Sequence, residues 1–215
     1  MNISVKNFLA SVAMLALLSA PAMAQDEAFL EGGQYEVLSN TQAVSTGDKI
    51  EVLELFWYRC PHCATLEVPL QEWLKNGKPD NAEYVAFPAV LSSRWEPEAR
   101  SFYTLEALDL LDELHGKLFY AIHSEHRKLG SADEFAEWVG EQGYSAQDIL
   151  DTYESFAVNT KLNYAKTLTR NYEIQGVPAI IVDGKYRTSV SQAGDFDTLF
   201  EVINFLVEKA AAERS

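Results

Sequence analysis

Two cysteines, Cys60 and Cys63, have the type and spacing that best suit chemistry in this sequence. They are the only cysteines among 215 residues, and two positions separate them. An apolar run that predicts a buried strand over residues 52–57 precedes them, and a pattern that predicts a helix over residues 64–76 follows. A pair with this spacing can close a small disulfide ring or supply part of a metal site.

The beginning of the chain has the layout of a secretory signal peptide. A short polar start carries Lys6, a mostly apolar stretch covers residues 8–18, and Ala22-Met23-Ala24 forms a small-x-small cleavage signal. We predict that residues 1–24 are removed on export. The alternative, an N-terminal membrane anchor, is disfavoured because the apolar stretch is short for a bilayer. Outside the cytosol thiols can stay oxidised, which favours a redox role for the cysteines.

Two other roles for the cysteines are weaker. A structural disulfide between Cys60 and Cys63 would close a very short loop and remove little entropy from the unfolded chain. A zinc site usually needs about four ligands. The histidines lie at positions 62, 115, 123 and 126, and no second Cys-x-x-Cys is present. We therefore expect no metal and no cofactor beyond a redox-active disulfide.

The sequence is strongly acidic, with a formal net charge of −15 at pH 7. Nucleic-acid phosphates would repel such a chain, so we expect no nucleic-acid partner. We interpret the acidity as a contribution to solubility.

The predicted elements form one α/β domain that a helical segment interrupts. Strand signals reach to about residue 90, and residues 91–171 have helical periodicity, including a helix predicted over residues 96–114. Strands then return, Asp183-Gly184 predicts a two-residue hairpin turn, and a last helix begins after Asp195. No obvious dimerisation segment precedes the domain, so we expect a monomer.

Several motifs together resemble one known family. The dipeptide inside Cys60-Pro61-His62-Cys63 is typical of the DsbA family of periplasmic thiol oxidants. A Val-Pro pair in Gly176-Val177-Pro178, the helical segment and the signal peptide agree with this resemblance, which covers essentially the whole mature chain. It implies a thioredoxin-like domain, formed by residues 25–90 and 172–215, with an inserted helical domain over residues 91–171.

The placement of the cysteines predicts their roles. Cys60 would lie at the N-terminus of a helix, where unpaired N–H groups and His62 lower its pKa, and it would be the attacking and attacked sulfur. Cys63 would lie one turn into the helix, more buried, and would resolve mixed disulfides. The family resemblance includes Pro61 and His62 in the catalytic motif.

Four further residues are expected to support the motif. The resemblance implies that Pro178 is a cis-proline beside the cysteines and that Val177 pairs its backbone with substrate; an ordinary trans-proline is the alternative. Glu54 is either a strand residue near an edge or a buried carboxylate below the cysteines, and the resemblance implies that an acid at this position assists proton transfer. The family's usual lysine partner is missing, so Glu54 would be protonated or paired through water. Arg59 is either a solvated charge or a cation that lowers the Cys60 pKa.

The resemblance predicts a periplasmic thiol oxidase. Such an enzyme donates its Cys60–Cys63 disulfide to newly exported, reduced polypeptides, and a quinone-linked inner-membrane partner of the DsbB type reoxidises it. Two alternatives stay open at this point. One is a disulfide isomerase or reductase on the same scaffold. The other is a non-redox, chaperone-like binding module that holds unfolded chains in a groove near Pro178.

Overall fold

A computed structural model describes residues 28–214 of the chain. The predicted signal peptide, residues 1–24, lies outside the described residues. Within residues 28–214, no helix combines the length and the apolar character needed to cross a membrane.

A five-stranded mixed sheet forms the centre of the fold. Its strand order is β1-β5-β4-β2-β3, with β2 and β3 parallel and the other pairs antiparallel. The strands are β1 (Glu36–Val37), β2 (Ile50–Phe56), β3 (Ala82–Pro88), β4 (Ala179–Val182) and β5 (Tyr186–Thr188). All seven residues of β2 are buried, as expected for a nearly continuous apolar run between two neighbouring strands.

Helices cover both faces of this sheet. They are α1 (Pro61–Asn76), α2 (Glu96–Ala107), α3 (Leu111–His123), α4 (Ala132–Glu141), α5 (Ala146–Tyr153), α6 (Phe156–Asn171), α7 (Val190–Ala193) and α8 (Phe196–Arg214). Helix α1 follows β2 directly, and α2 to α6 all come between β3 and β4. The predicted α/β fold with a helical insertion is therefore confirmed.

The predicted single helix over residues 96–114 is wrong. Helix α2 ends at Ala107, and α3 begins at Leu111. Between them Asp109 has a φ of 57°, in the left-handed region that ends helices. The Leu110 N–H donates to the Leu105 carbonyl at 2.8 Å and closes the last turn of α2. Apolar periodicity continues across this break, which is why the sequence pattern does not reveal it.

Two apolar clusters hold the layers together. One lies between the sheet, α1 and α8, and includes Leu66, Trp73 and Leu206. The other packs the helical insertion against the sheet, and it also contains Cys60 and Cys63. The two cysteines therefore lie where the sheet, α1 and the insertion meet.

Candidate active site

The local sequence places the two cysteines at the N-terminus of α1. Cys60 is the N-cap residue, with an extended backbone, and its sulfur accepts a hydrogen bond from the Cys63 N–H at 3.4 Å. Pro61 begins the helix, where its fixed φ and missing N–H cost nothing. Both sulfurs are free thiols. Cys60 is 7% exposed and Cys63 is 1% exposed, so Cys60 is the more accessible of the two.

The surroundings of the two thiols shift their pKa values in opposite directions. A hydrogen bond from the Cys63 side chain lowers the pKa of Cys60 to about 6, and backbone N–H groups and the charge of His62 add to this effect. Burial raises the pKa of Cys63 well above its usual range, and its bond to Cys60 and the charge of Glu54 act in the same direction. Cys60 is therefore the more acidic of the two thiols and the better suited to act as a nucleophile near neutral pH.

The Val177–Pro178 peptide lies beside Cys60. Its bond is cis, as the family resemblance implies, and the trans alternative is wrong. The Cys60 sulfur lies 3.3 Å from the Val177 carbonyl oxygen, to which its protonated form can donate, across 117 positions of sequence. A groove of about 630 Å³ is lined by Val177 and Pro178. Its lining includes His62, Val177, Pro178, Arg187, Gln192 and Phe196.

Glu54 is a buried carboxyl group on the central strand. It is 3% exposed and lies on β2 between β3 and β4, so the edge-strand alternative is wrong. Its partner is Tyr84 on β3, whose hydroxyl donates to Glu54 Oε2 at 2.5 Å. Burial raises the pKa of Glu54 to about 8, and the bond from Tyr84 opposes this rise only in part. The carboxyl group is therefore mostly protonated at pH 7.

A second polar network lies behind the motif. The Tyr58 hydroxyl is 2.7 Å from His115 Nδ1, and His115 Nε2 is 3.8 Å from a carboxylate oxygen of Glu67. Burial lowers the pKa of His115 to about 4, so the ring is neutral at pH 7. His123 Nε2 binds the Tyr58 carbonyl at 2.8 Å. Two histidines of the insertion thus hold the loop that enters the motif.

The histidines do not assemble a metal site with the cysteines. Across the described part of the chain, no group of three or more histidine, cysteine, aspartate or glutamate side chains is arranged to hold a metal ion. His62 is exposed at the start of α1, whereas His115 and His123 belong to α3. The expectation that the protein needs no cofactor other than a redox-active disulfide stays a prediction.

Arg59 does not extend freely into solvent. Its side chain, about one-third exposed, forms an ion pair with Glu98 of α2, whose side chain is 4% exposed. The second oxygen of Glu98 accepts a hydrogen bond from Trp57 Nε1 at 3.1 Å. The hypothesis that Arg59 lowers the pKa of Cys60 stays a prediction. Any such effect depends on the negative charge of the buried Glu98 carboxylate, with which Arg59 pairs.

Comparison with known proteins shows that the chain is similar to DsbA proteins over nearly its whole length. The sequence is 37% identical, over 201 residues, to the thiol:disulfide interchange protein DsbA of Pseudomonas aeruginosa. The alignment covers 93% of this chain and 95% of that protein. This chain belongs to the DsbA family. DsbA of Pseudomonas syringae pv. tomato is 34% identical over 208 residues, covering 96% of this chain and 97% of that protein. The family model for the DSBA-like thioredoxin domain matches residues 84–204.

Solved DsbA structures have the same fold. The crystal structure of Pseudomonas aeruginosa DsbA matches with a TM-score of 0.81 and 35% identity, over 86% of this chain and 96% of that one. DsbA from Xylella fastidiosa matches with a TM-score of 0.79 and 26% identity, over 85% and 98% of the two chains. The chain is therefore a thiol:disulfide oxidoreductase with a thioredoxin-like fold, and its Cys-x-x-Cys pair is the redox motif.

Sequence reasoning missed several residues around the motif of this DsbA-family protein. Tyr84 occupies the place beside Glu54 where the family resemblance implies a lysine. Glu98 and the two histidines of α3 reach the motif from the helical insertion. A two-residue alternation in β3 places Tyr84 on one face with Ala82 and Ala86, and this signal could have suggested Tyr84 as a candidate.

We expect the Cys60 thiol to titrate with a midpoint near pH 6, the pKa given by its surroundings. The reason is that the Cys63 thiol, two backbone N–H groups and His62 stabilise the thiolate. Ultraviolet absorbance of the thiolate and the pH dependence of alkylation both measure this midpoint. The Cys60→Ser variant is the control and should show no titration there. A midpoint near the free-cysteine value of about 8.5 would contradict the expectation.

Proposed function

We propose that this DsbA-family enzyme is a periplasmic thiol oxidase that donates its Cys60–Cys63 disulfide to newly exported, reduced polypeptides. The observation that carries this proposal is the opposite shift of the two cysteine pKa values. A stabilised Cys60 thiolate favours the reduced enzyme, so the oxidised enzyme tends to pass its disulfide on. Each unit by which the Cys60 pKa lies below the ambient pH makes transfer of the disulfide to substrate more favourable by about 1.4 kcal/mol.

The proposed cycle begins when a substrate thiolate attacks the Cys60 sulfur. A mixed disulfide forms at Cys60, the Cys60–Cys63 bond breaks, and Cys63 leaves as a thiolate. A second substrate thiolate then attacks the substrate sulfur and releases Cys60 as a thiolate. The substrate loses two electrons and gains a disulfide, and the enzyme becomes the reduced dithiol. An enzyme with a stable Cys60 thiolate makes the last step favourable because Cys60 is a good leaving group.

In this cycle Glu54 supplies the proton that Cys63 needs. Ionised Glu54 would raise the pKa of Cys63, so the two groups interact, and the Glu54 pKa of about 8 keeps a proton on Glu54 at neutral pH. A Cys63 thiolate that forms in this buried place is strongly disfavoured, so it takes a proton quickly from a neighbouring acid. During reoxidation the ionised Glu54 accepts the proton back from Cys63.

The groove beside Pro178 is the proposed binding site for an extended stretch of substrate. Val177, whose carbonyl lies next to the Cys60 sulfur, and His62 of the motif both line it. Backbone groups at Val177 would pair with the substrate chain, as strands pair at a sheet edge. We further propose that the enzyme acts as a monomer and that a quinone-linked inner-membrane protein of the DsbB type reoxidises it.

The test mixes the oxidised enzyme with a reduced, unfolded model protein. We expect one substrate disulfide to form for each enzyme disulfide lost, and the enzyme in glutathione buffers to favour its reduced form strongly. An enzyme that instead reshuffles scrambled disulfides, and acts as a dimer, would be an isomerase. A double Cys→Ser variant that kept full function would indicate a non-redox binding module.

A further inference from the structure

Residues 57–59, the segment that leads into the Cys-x-x-Cys motif, are held by side chains of the helical insertion. His115 and His123 bind Tyr58 through its hydroxyl and its carbonyl. Glu98 binds the two residues on either side of Tyr58. The insertion therefore contacts each of the three residues of the segment. Among these contacts, the one between Glu98 and Arg59 is an ion pair between opposite charges.

Glu98 is the charged residue among those of the insertion that contact residues 57–59. It lies in the first turn of α2 and is 3% exposed, so its carboxylate is shielded from water. One oxygen accepts from Trp57 Nε1 at 3.1 Å, and the other pairs with Arg59 Nε. Trp57 is itself fixed, because its ring stacks on Trp95 with centroids 4.4 Å apart and planes 5° apart. The carboxylate is therefore anchored on one side and holds the guanidinium on the other.

The position of Arg59 in the chain makes its charge relevant to the motif. Arg59 is the residue immediately before Cys60, so a guanidinium freed from Glu98 could approach the Cys60 sulfur. The other charged side chain that acts on that sulfur is His62 on α1, and the nearby Glu54 on β2 is mostly protonated at pH 7. A cation within a few ångströms of a thiolate stabilises it, and a buried counter-charge cancels most of that effect.

We propose that Glu98 is a positioning residue that holds the Arg59 guanidinium on α2 and offsets its charge, which limits how strongly positive charge stabilises the Cys60 thiolate. The inference rests on the proposed role of Cys60 as the exchanging sulfur. It makes the helical insertion a means of setting the oxidising strength of the motif, in addition to its part in the fold.

A double-mutant cycle on the ion pair tests this proposal. We expect Glu98→Gln, which keeps an acceptor for Trp57 but removes the charge, to lower the Cys60 pKa by about half a unit to one unit. Arg59→Ala should raise it by a similar amount, because the carboxylate is then unpaired. The double variant should return close to the parent value. In glutathione buffers, Glu98→Gln should shift the equilibrium about threefold to tenfold toward the reduced enzyme.

The signs of these shifts separate positioning from simple support of the loop. If Glu98 and Arg59 only stabilised the loop, both single variants would move the Cys60 pKa in one direction and the double variant would not restore it. That result, or an unchanged Cys60 pKa in Glu98→Gln, would overturn the proposal. The matched control is the Arg127–Glu141 pair, whose arginine is equally exposed but whose glutamate is nearly half exposed and therefore screened by water. Its Glu141→Gln variant should leave the Cys60 pKa unchanged.

A second variant covers the case in which Glu98→Gln does not fold. Glu98→Asp keeps the charge but is one methylene shorter, so it should release Arg59 and lower the Cys60 pKa by a smaller amount; no fall would overturn the proposal. The thiolate titration is independent of any oxidase assay. If the double-mutant cycle gives the expected pKa shifts but the enzyme does not oxidise substrate, only the proposed function is rejected. If the enzyme oxidises substrate but the expected pKa shifts are absent, only this inference is rejected.

Discussion

Replacing Cys60 with serine should reduce disulfide exchange to the uncatalysed rate, whereas Cys63→Ser should accumulate mixed disulfides with substrate. A serine hydroxyl cannot form a disulfide, so loss of the more accessible, thiolate-forming sulfur removes the reaction itself. Without Cys63, a substrate bound through Cys60 has no resolving thiol next to it. Oxidation of a reduced model protein measures the first effect, and mass spectrometry of trapped adducts measures the second.

The control for these variants is Thr65→Ser on the exposed side of α1, which keeps a hydroxyl one turn into the helix. It should oxidise substrate at the parent rate. Adducts that form through Cys63 in the Cys60→Ser variant would contradict the assignment of roles. Such a result would mean that burial of Cys63, at 1% exposure, does not keep substrate thiols away from it.

Features that depend on neighbouring residues could be predicted from the sequence. Cys60 followed by Pro61 favours a helix start, and the structure has Cys60 as N-cap and Pro61 as the first helical residue. Asp183-Gly184 predicts a tight hairpin, and both residues have a positive φ, at 56° and 64°. In each case the conformational preference of two adjacent residues decides the structure.

Contacts between distant segments could not be predicted in the same way. Glu54 and Tyr84 are 30 positions apart, and their contact depends on the parallel register that sets Val52 opposite Tyr84. The sequence shows that Ala82, Tyr84 and Ala86 share a face, but not which of them approaches Glu54. Glu98 is further away still, because its contact with Arg59 requires the insertion to fold back onto the motif. Such packing has no local signature.

Glu54→Gln should stabilise the protein at pH 7 by about 3 kcal/mol. In the unfolded chain this carboxyl has its ordinary pKa of 4.5, and burial raises it to about 8 in the folded protein. Between these values the folded protein binds one proton more than the unfolded chain. The free energy of unfolding therefore falls by about 1.4 kcal/mol for each pH unit in that window. Glutamine removes this loss and still accepts the Tyr84 hydrogen bond.

The measurement is urea unfolding of parent and variant from acid to mildly alkaline pH. Both proteins carry Cys60→Ser and Cys63→Ser, so that no thiol titrates in the same range. The difference in the free energy of unfolding should be near zero below pH 4.5, grow through neutral pH and level off above about pH 8. Glu83→Gln on β3 is the control, because its side chain is half exposed and carries no comparable burial cost.

The sign of the Glu54 effect decides the protonation state of this carboxyl group. If Glu54 were ionised and stabilised by its surroundings, Glu54→Gln would destabilise the protein at pH 7 and the difference would have the opposite pH dependence. Tyr84→Phe adds a second check, because loss of the hydroxyl donor should raise the Glu54 pKa further and extend the window to higher pH. A buried acid that costs stability needs a compensating function, and in the proposed cycle that function is the exchange of a proton with Cys63.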